Sequence, residues 1–297
     1  MVKAILDMLG LPGRSMKKDP EVALAYRIFG PDGRDETDEL RARLRAARQS
    51  SEIAPAANLV RVCADGDSWI NILWPWSKLF GHEKTFFDVI EENVSYYSRS
   101  VGYPGDTLAD MLAARDYRQP LDSGIFDYFI FSGGGNDVLG GSALVALLRD
   151  RQAVGSSPDP HDCIDPDALA TAVATLASNY DFIARDVRAA DTGVTMLVHG
   201  YDYPAPRAGQ PWLAVPFTAK GYDLTADKEL IAAILRHLVD AFYDMLEGVA
   251  GKHAHVQVVN LRNVVDGRWN DELHPQEAAS VDLAAKFSER MPTAPVA

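Results

Sequence analysis

Five short runs rich in β-branched and aromatic residues recur along the chain, and most of them end in a polar or glycine-containing turn. They lie at 59–64, 94–101, 126–131, 194–198 and 256–261. Between and after these runs, apolar residues recur at helical spacing over 107–115, 142–151, 167–189, 226–247 and 275–290. Strands that alternate with helices form parallel sheets with helices on both faces. The pattern therefore predicts an α/β fold, a three-layer α/β/α sandwich around a five-stranded parallel sheet.

Residues 1–57 precede the first predicted strand. Short helical patterns occupy 1–9 and 20–29, and a charged pattern with a narrow apolar stripe predicts a helix over 36–49. Such a helix can pack only one thin face against the rest of the chain. We therefore expect an N-terminal helical arm, 1–57, lying on a main domain, 58–297. A lid or a dimer contact is the alternative interpretation of this segment.

Polar residues cluster where the predicted strands end. Ser68 follows the first run through Asp65-Gly66-Asp67, and ligands of open α/β sheets bind at the carboxyl ends of strands. Gly105 and Asn136 occupy turns after the second and third strands, and near the C-terminus Asp271 precedes His274 by three positions. A hydroxyl, an imidazole, a carboxylate, an amide and a glycine N–H are the parts of an acyl-transfer site.

Four short blocks resemble the GDSL esterase/lipase family, whose members are also called SGNH hydrolases. The blocks occur in the family's order across roughly residues 58–290, and four in order are far more specific than any one alone. They are Gly66-Asp67-Ser68, Gly105-Asp106-Thr107, Gly135-Asn136-Asp137 and Asp271-Glu272-Leu273-His274-Pro275. One departure is Trp69, which stands where the family's first block usually has leucine. The resemblance implies a flavodoxin-like strand order.

The same resemblance implies hydrolysis of a carboxylic ester through an acyl-serine intermediate. Ser68 would be the nucleophile, His274 its base, and Asp271 the carboxylate that orients the imidazole. The backbone N–H groups of Ser68 and Gly105 and the side chain of Asn136 would form the oxyanion hole. The implied partner is a small-molecule, lipid or carbohydrate ester, and the implied chemistry needs no metal or organic cofactor.

Each of these residues also has a purely structural interpretation. Ser68 suits a helix N-cap, and both Asn136 and Gly105 suit turns, glycine because it tolerates a positive φ. Asp271 could cap a turn and leave His274 as a surface residue. Any of these interpretations would be preferred for an isolated residue. The presence of four blocks together favours the catalytic one.

Two neighbouring positions compete for the same roles. Glu272 is a second carboxylate beside Asp271, but side chains at adjacent positions point in different directions, and the family pattern indicates Asp271. Gly102 is a second glycine donor beside Gly105, and Gly-Asp-Thr is the better match to the family's second block. We therefore expect Asp271 and Gly105 to be the functional residues of each pair.

Two other functions fit part of the sequence. Asp65 and Asp67 form an Asp-x-Asp after an apolar strand, which is how a magnesium-dependent haloacid-dehalogenase-like phosphatase begins, and Ser132 fits its second motif. That hypothesis leaves Asn136 and the C-terminal Asp-x-x-His unexplained, and a convincing lysine motif and a late acidic pair are missing. A non-catalytic binding module on the same fold is the third hypothesis, although every catalytic block is present.

Weaker signals concern the substrate. Trp69 and His199 follow strands on the expected side of the sheet, so both are candidate substrate-binding residues, and the irregular segment 205–226 is a candidate substrate rim. The same His199 could instead be a strand-end histidine bonded to backbone. His253 and His255 flank one alanine and could chelate a metal, although such pairs are more often solvated.

Composition narrows the partners. The chain has 297 residues, 47% of them hydrophobic, and a net charge of −13, which disfavours binding to nucleic acid or to an anionic membrane surface. The two cysteines, Cys63 and Cys163, imply no disulfide framework. The N-terminus does not resemble a signal peptide and no stretch is long enough to span a bilayer, so we expect a cytoplasmic protein, although relatives are often exported.

Overall fold

The computed structural model describes residues 15–18, 26–36, 39, 59–73, 81–140 and 142–292. Ahead of the main sheet, β1 (Ser15–Lys18) pairs antiparallel with β2 (Tyr26–Phe29). The helix predicted over 20–29 is therefore wrong for 26–29, because this aromatic and β-branched run pairs its backbone with a second strand. The helix predicted over 1–9, and nearly all of that over 36–49, lies outside the described residues. The division into an arm and a main domain stays a prediction.

The main sheet has five parallel strands. They are β3 (Val60–Gly66), β4 (Tyr96–Ser100), β5 (Tyr128–Ser132), β6 (Thr195–Val198) and β7 (Val256–Val258). Their order across the sheet is β4-β3-β5-β6-β7, with every neighbouring pair parallel. The predicted α/β fold is confirmed, and the strand order is flavodoxin-like. The order reverses between β3 and β5, and ligands of such sheets bind at the crevice formed there.

Helices connect the strands and cover both faces of the sheet. They are α1 (Phe86–Glu92), α2 (Leu108–Ala114), α3 (Arg118–Asp122), α4 (Gly135–Leu139), α5 (Ser142–Leu147), α6 (Arg151–Val154), a 3₁₀ turn (Pro160–Cys163), α7 (Pro166–Ala190), α8 (Ala214–Ala219), α9 (Lys228–Ala250) and α10 (Glu277–Ser288). One layer is built from α1 and α10, and the other has α7 packed on α2, α3 and α9. None of the helices in the described part of the chain is long and apolar enough to cross a bilayer.

The sheet interior explains why its strands are continuously apolar. Both faces are covered, so consecutive residues of β5 such as Phe129, Ile130 and Phe131 are all fully buried although they point to opposite faces. Cys63 and Cys163 are free, buried thiols. Burial, and the charge of Asp65 close by, raise the pKa of the Cys63 thiol well above its usual value. This cysteine is therefore a core residue.

A second cluster of buried residues lies away from the sheet and includes the segment expected to be irregular. Residues 214–219 form α8, and Phe217 and Tyr222 are buried against Leu144 of α5 and Leu235 of α9. The interpretation of 205–226 as an irregular substrate rim is therefore wrong for its aromatic residues. These aromatic side chains are buried in a core. The local sequence does not distinguish aromatic residues of a core from those of a binding rim.

Candidate active site

The turn after β3 holds Ser68 in a fixed position at the end of the strand. The Asp67 N–H donates to the Ser132 carbonyl of β5 at 3.0 Å, and the Trp69 N–H donates to Asp67 Oδ1 at 3.0 Å. Gly66 is required here, because a Cβ at that position would lie 2.3 Å from the Ser132 carbonyl oxygen. The strand therefore ends in close contact with β5, and the next turn presents Ser68 at the β3/β5 crevice.

The structure brings Ser68, His274 and Asp271 together in one chain of hydrogen bonds. Ser68 Oγ lies 2.9 Å from His274 Nε2, and His274 Nδ1 lies 2.8 Å from Asp271 Oδ2. All three side chains are buried, with 4%, 5% and 9% of their respective residue surfaces exposed. This is the order hydroxyl, imidazole, carboxylate in which a base and its orienting acid activate a serine.

Asp271 is held as a carboxylate by its surroundings. Burial alone would raise its pKa, but the His274 charge and ring hydrogen bond, together with the backbone N–H groups of Leu273 and His274, hold the pKa of Asp271 well below its usual value. Those two N–H groups both donate to Oδ1, each at 2.8 Å. The turn closes further through the Asn270 N–H, which donates to the His274 carbonyl at 2.7 Å. The carboxylate therefore both shapes the turn and fixes the imidazole.

Glu272, the competing carboxylate of the sequence, points away from the imidazole and is bound elsewhere. It is fully buried and accepts four backbone N–H groups at 2.8–3.0 Å, from Arg207, Trp212, Leu213 and Ala214. The last three lead into α8, and the carboxylate satisfies N–H groups at that helix start. Glu272 therefore fastens the segment 207–214 to the turn that carries the histidine.

Trp69 forms a second attachment between the serine turn and the histidine turn. Its indole Nε1–H donates to the Leu273 carbonyl at 3.0 Å. The ring lies edge-on to Tyr201 at 5.2 Å and tilted against Trp269 at 6.2 Å, measured between centroids. Trp69 is one of the residues that line the cleft beside Ser68. A leucine at this position could fill part of the same space but could not donate the hydrogen bond.

Asn136 and the turn containing Gly105 are tied to each other. Asn136 Nδ2 donates to the Asp106 carbonyl at 3.0 Å, and the Leu108 N–H donates to Asp137 Oδ2 at 3.0 Å. Asn136 lies in the first turn of α4 and lines the cleft with Ser68. An amide nitrogen has two hydrogens, so the bond to Asp106 orients the group while one donor is left for a ligand.

Gly105 and Gly102 differ in what their backbones do. Gly105 has φ 87°, a conformation that favours glycine, and it is buried directly before Asp106. It is not among the described residues that line the cleft. The Gly102 N–H is already bonded to Ser100 Oγ at 3.3 Å, and a Cβ at this position would lie 2.6 Å from the Gly66 carbonyl oxygen. Of the two competing glycines, Gly102 therefore has its donor engaged.

An open cleft of about 380 Å³ surrounds these groups. Ser68, His274 and Asn136 line it together with Trp69, Tyr201, Trp269 and Pro204. The polar groups of the lining come from four separate segments after the strands, and the apolar remainder combines aromatic rings with Leu139, Leu273 and Pro204. Such a cleft can hold a small carbonyl compound with its reacting carbon near the serine hydroxyl.

His199 does not line this cleft, in contrast to the expectation that it binds substrate. Its ring is fully buried among Trp69, Phe86, Tyr201 and Phe287. Burial lowers the pKa of His199 to about 3, so the ring is neutral at physiological pH. The Tyr201 N–H donates to Nδ1 at 3.2 Å, which places the ring proton on Nε2. The position after β6 favoured pocket lining and a strand-end bond to backbone about equally, and the aromatic side chains of α1 and α10 cover the ring.

Asp67 braces the serine turn. Its Oδ1 accepts from Ser132 Oγ at 3.0 Å, and its Oδ2 accepts from the Tyr201 hydroxyl at 2.5 Å. Burial raises the pKa of Asp67, and the hydrogen bond from Tyr201 opposes that effect. These contacts occupy both oxygens of a residue that the phosphatase hypothesis requires for acid–base chemistry. In the part of the chain that the structure describes, no three His, Cys, Asp or Glu side chains are grouped to hold a metal ion.

The histidine pair near β7 has separate partners. His253 Nε2 lies 2.8 Å from Asp181 Oδ1, and His255 Nε2 lies 2.9 Å from the Ala184 carbonyl. Their ring centroids are 5.9 Å apart. Each imidazole therefore fastens the end of β7 to α7, and the two do not converge on one point.

Sequence reasoning missed Tyr201. It lies three residues after β6 with φ 67°, which is unusual for a bulky residue, and it is buried beside the cleft. Its hydroxyl donates to Asp67 and accepts from the Gly135 N–H at 3.0 Å, so it joins the serine turn to the start of α4. The one signal in the sequence was its place at the end of a strand, which His199 shares.

Comparisons with known proteins agree with the architecture. Neither a family model nor a curated protein matches the sequence. An extracellular lipase from Streptomyces rimosus aligns with a TM-score of 0.52 at 16% identity, over 77% of this chain and 99% of the lipase. A phospholipase A1 from Streptomyces albidoflavus gives a TM-score of 0.52 at 20% identity, over 78% of this chain and 99% of that enzyme. At these identities the likeness establishes a shared fold.

Proposed function

We propose that this chain is a serine hydrolase of the GDSL family that cleaves carboxylic esters through an acyl-serine intermediate. The observation that carries the proposal is the hydrogen-bonded chain from Ser68 Oγ through His274 to Asp271, with distances of 2.9 and 2.8 Å. It lies at the β3/β5 crevice, in a fold shared with a lipase and a phospholipase A1. Residues from three of the four sequence blocks, Ser68, Asn136 and His274, line the same cleft, and the remaining block contacts Asn136 through the Asp106 carbonyl.

The first half of the reaction acylates the serine. Ser68 Oγ attacks the ester carbonyl carbon while His274 Nε2 takes the hydroxyl proton, and Asp271 stabilises the imidazolium that results. Negative charge develops on the carbonyl oxygen, where the N–H groups of Ser68 and Gly105 and the amide of Asn136 would stabilise it. The bond between the carbonyl carbon and the alcohol oxygen then breaks, and His274 gives its proton to the departing alcohol.

The second half releases the acid. A water molecule loses a proton to His274 Nε2 and attacks the carbonyl carbon of the acyl-serine. The same donors stabilise the second oxyanion, the bond to Ser68 Oγ breaks, and the imidazolium returns the proton to that oxygen. One water is consumed, and one alcohol and one carboxylic acid are formed. Every proton transfer passes through His274, so its contact with Asp271 matters in both halves.

The test compares the purified full chain with Ser68→Ala on p-nitrophenyl acetate, butyrate and octanoate. We expect the substitution to lower kcat by about a thousandfold or more, because the nucleophile is lost while the fold is kept. Ser178→Ala, at an exposed position on α7, is the matched control and should hydrolyse the esters like the wild type.

Two results would contradict the proposal. Ester hydrolysis that persists in Ser68→Ala at the wild-type rate would remove the serine from the mechanism. Release of phosphate from p-nitrophenyl phosphate with magnesium, unaffected by Ser68→Ala and abolished in Asp65→Asn, would move the chemistry to the phosphatase hypothesis. Both reactions are followed by the release of p-nitrophenol, and assaying each substrate separately distinguishes the two results.

A further inference from the structure

A second, apolar cavity adjoins the cleft. It is a partly open space of about 470 Å³, including volume open to solvent, between the start of α4 and the helices α7 and α9. Gly135, Leu139 and Tyr201 line both the cleft and this cavity. The two spaces are therefore neighbours that share one wall, and that wall begins one residue before Asn136.

The walls of this cavity offer an occupant almost nothing except apolar contact. On α7 the lining side chains include Ala172, Val173 and Leu176, and facing residues on α9 include Val239 and Phe242. Several residues of the α7 wall are only half-buried, although they are apolar. An apolar helix face that is left half-covered beside a reaction site is suited to an apolar ligand.

Tyr201 is the one lining side chain with a polar group, and that group is already engaged. Its hydroxyl donates to Asp67 Oδ2 at 2.5 Å and accepts from the Gly135 N–H at 3.0 Å. The ring is therefore held in place and presents carbon atoms to the cavity. Binding of a polar or charged ligand here would remove it from water without new hydrogen bonds, which is unfavourable.

We infer that this cavity takes the acyl chain of the substrate, and that the ester acids carry apolar chains longer than acetate. This inference rests on the proposed function. An acyl carbon bonded to Ser68 Oγ would lie in the cleft, and a chain extending from it over Gly135 and Leu139, which line both spaces, would enter the apolar cavity. Each methylene that enters should raise kcat/KM by about fourfold, which is the transfer free energy of one CH₂ group expressed as a rate ratio.

The test fills the cavity from α7 and keeps the reaction centre intact. Ala172→Phe places a ring in the cavity, and Ala174→Phe, two residues away at an exposed position on the same helix, is the matched control. The readout is the ratio of kcat/KM for p-nitrophenyl octanoate to that for p-nitrophenyl acetate. We expect Ala172→Phe to lower this ratio at least tenfold and Ala174→Phe to leave it at the wild-type value.

A second variant guards against poor folding of the first. Val173→Ala enlarges the cavity and should raise the ratio of dodecanoate to octanoate turnover. Unchanged ratios in both Ala172→Phe and Val173→Ala, in proteins that still hydrolyse acetate, would overturn the acyl-chain assignment and leave the proposed function standing. A wild type that hydrolyses neither ester would overturn the proposed function, and this inference with it.

Discussion

Glu272 is expected to hold the segment 207–214 against the histidine turn, and Glu272→Gln tests this directly. In the structure Oε1 accepts from the Arg207 and Ala214 N–H groups, and Oε2 accepts from those of Trp212 and Leu213. A glutamine keeps the shape but has one oxygen and one NH₂ group. Whichever way the amide is turned, two of the four backbone N–H groups lose their acceptor and face a donor.

The magnitude follows from that count. Leaving one buried N–H unsatisfied costs about 1–3 kcal/mol, so two of them destabilise the attached segment by about 2–6 kcal/mol. Even the lower value corresponds to about a thirtyfold increase in the population of the open segment. The segment includes the N-terminal end of α8, so the effect should be confined to this region and should exceed any change in α7.

Amide hydrogen exchange measured by mass spectrometry is the assay. Peptides covering 207–219 should exchange at least thirtyfold faster in Glu272→Gln, and peptides from α7 serve as the internal reference. Ester turnover should fall as well, because Glu272 lies two positions from His274. Glu289→Gln is the control, since Glu289 is exposed and forms a surface ion pair with Lys286 at 3.0 Å. Exchange in 207–219 within threefold of the wild-type rate would refute the expectation that Glu272 holds this segment in place.

Two further predictions concern His274 and His199. Asp271→Asn should lower kcat by about 10³–10⁴ with the fold retained, because the imidazole loses its orienting carboxylate. Asp266→Asn, at an exposed position on the same loop, is the control and should leave kcat unchanged. A loss of less than tenfold in Asp271→Asn would exclude Asp271 as the orienting carboxylate. His199, with a pKa lowered from 6.5 to about 3, takes up its proton only on unfolding, so stability should fall as pH drops from 6.5 towards 3 and stay level above 6.5. Between pH 7 and 5 this amounts to about 2 kcal/mol. Urea unfolding at pH 7 and pH 5 gives the free energy of unfolding of the wild type and of His199→Gln. The difference between the two proteins should change by about 2 kcal/mol between these pH values. The same difference at both pH values would contradict the assignment.

Much of the fold could be predicted from the sequence because it is encoded locally. A run of β-branched and aromatic residues forms a buried strand wherever helices cover both its faces, and the turn after it must contain small residues. Ser68 and Asn136 were identified because each lies in the polar turn that follows such a run and belongs to a sequence block that resembles the family. Gly66 belongs to the first of these blocks, but the reason it must be glycine, its close contact with the β5 backbone, is visible only in the folded structure.

The remaining features depend on contacts between residues far apart in the chain. Ser68 and His274 are separated by 206 positions, and only the folded sheet brings them within 2.9 Å. Residues with the same local signal also diverged: His199 and Tyr201 both follow β6, yet one is sealed among aromatic rings and the other lines the cleft.

By itself, then, the sequence determined the strands, the turns at their ends and the residue types available for acyl transfer. These properties are set by neighbours along the chain. The tertiary structure alone decided what the neighbouring carboxylate Glu272 binds, which aromatic residues are core, and where an apolar cavity remains open beside the reaction centre. The reason is that the direction and burial of a side chain depend on which distant elements pack against it, as Asp271 and Glu272 show at adjacent positions.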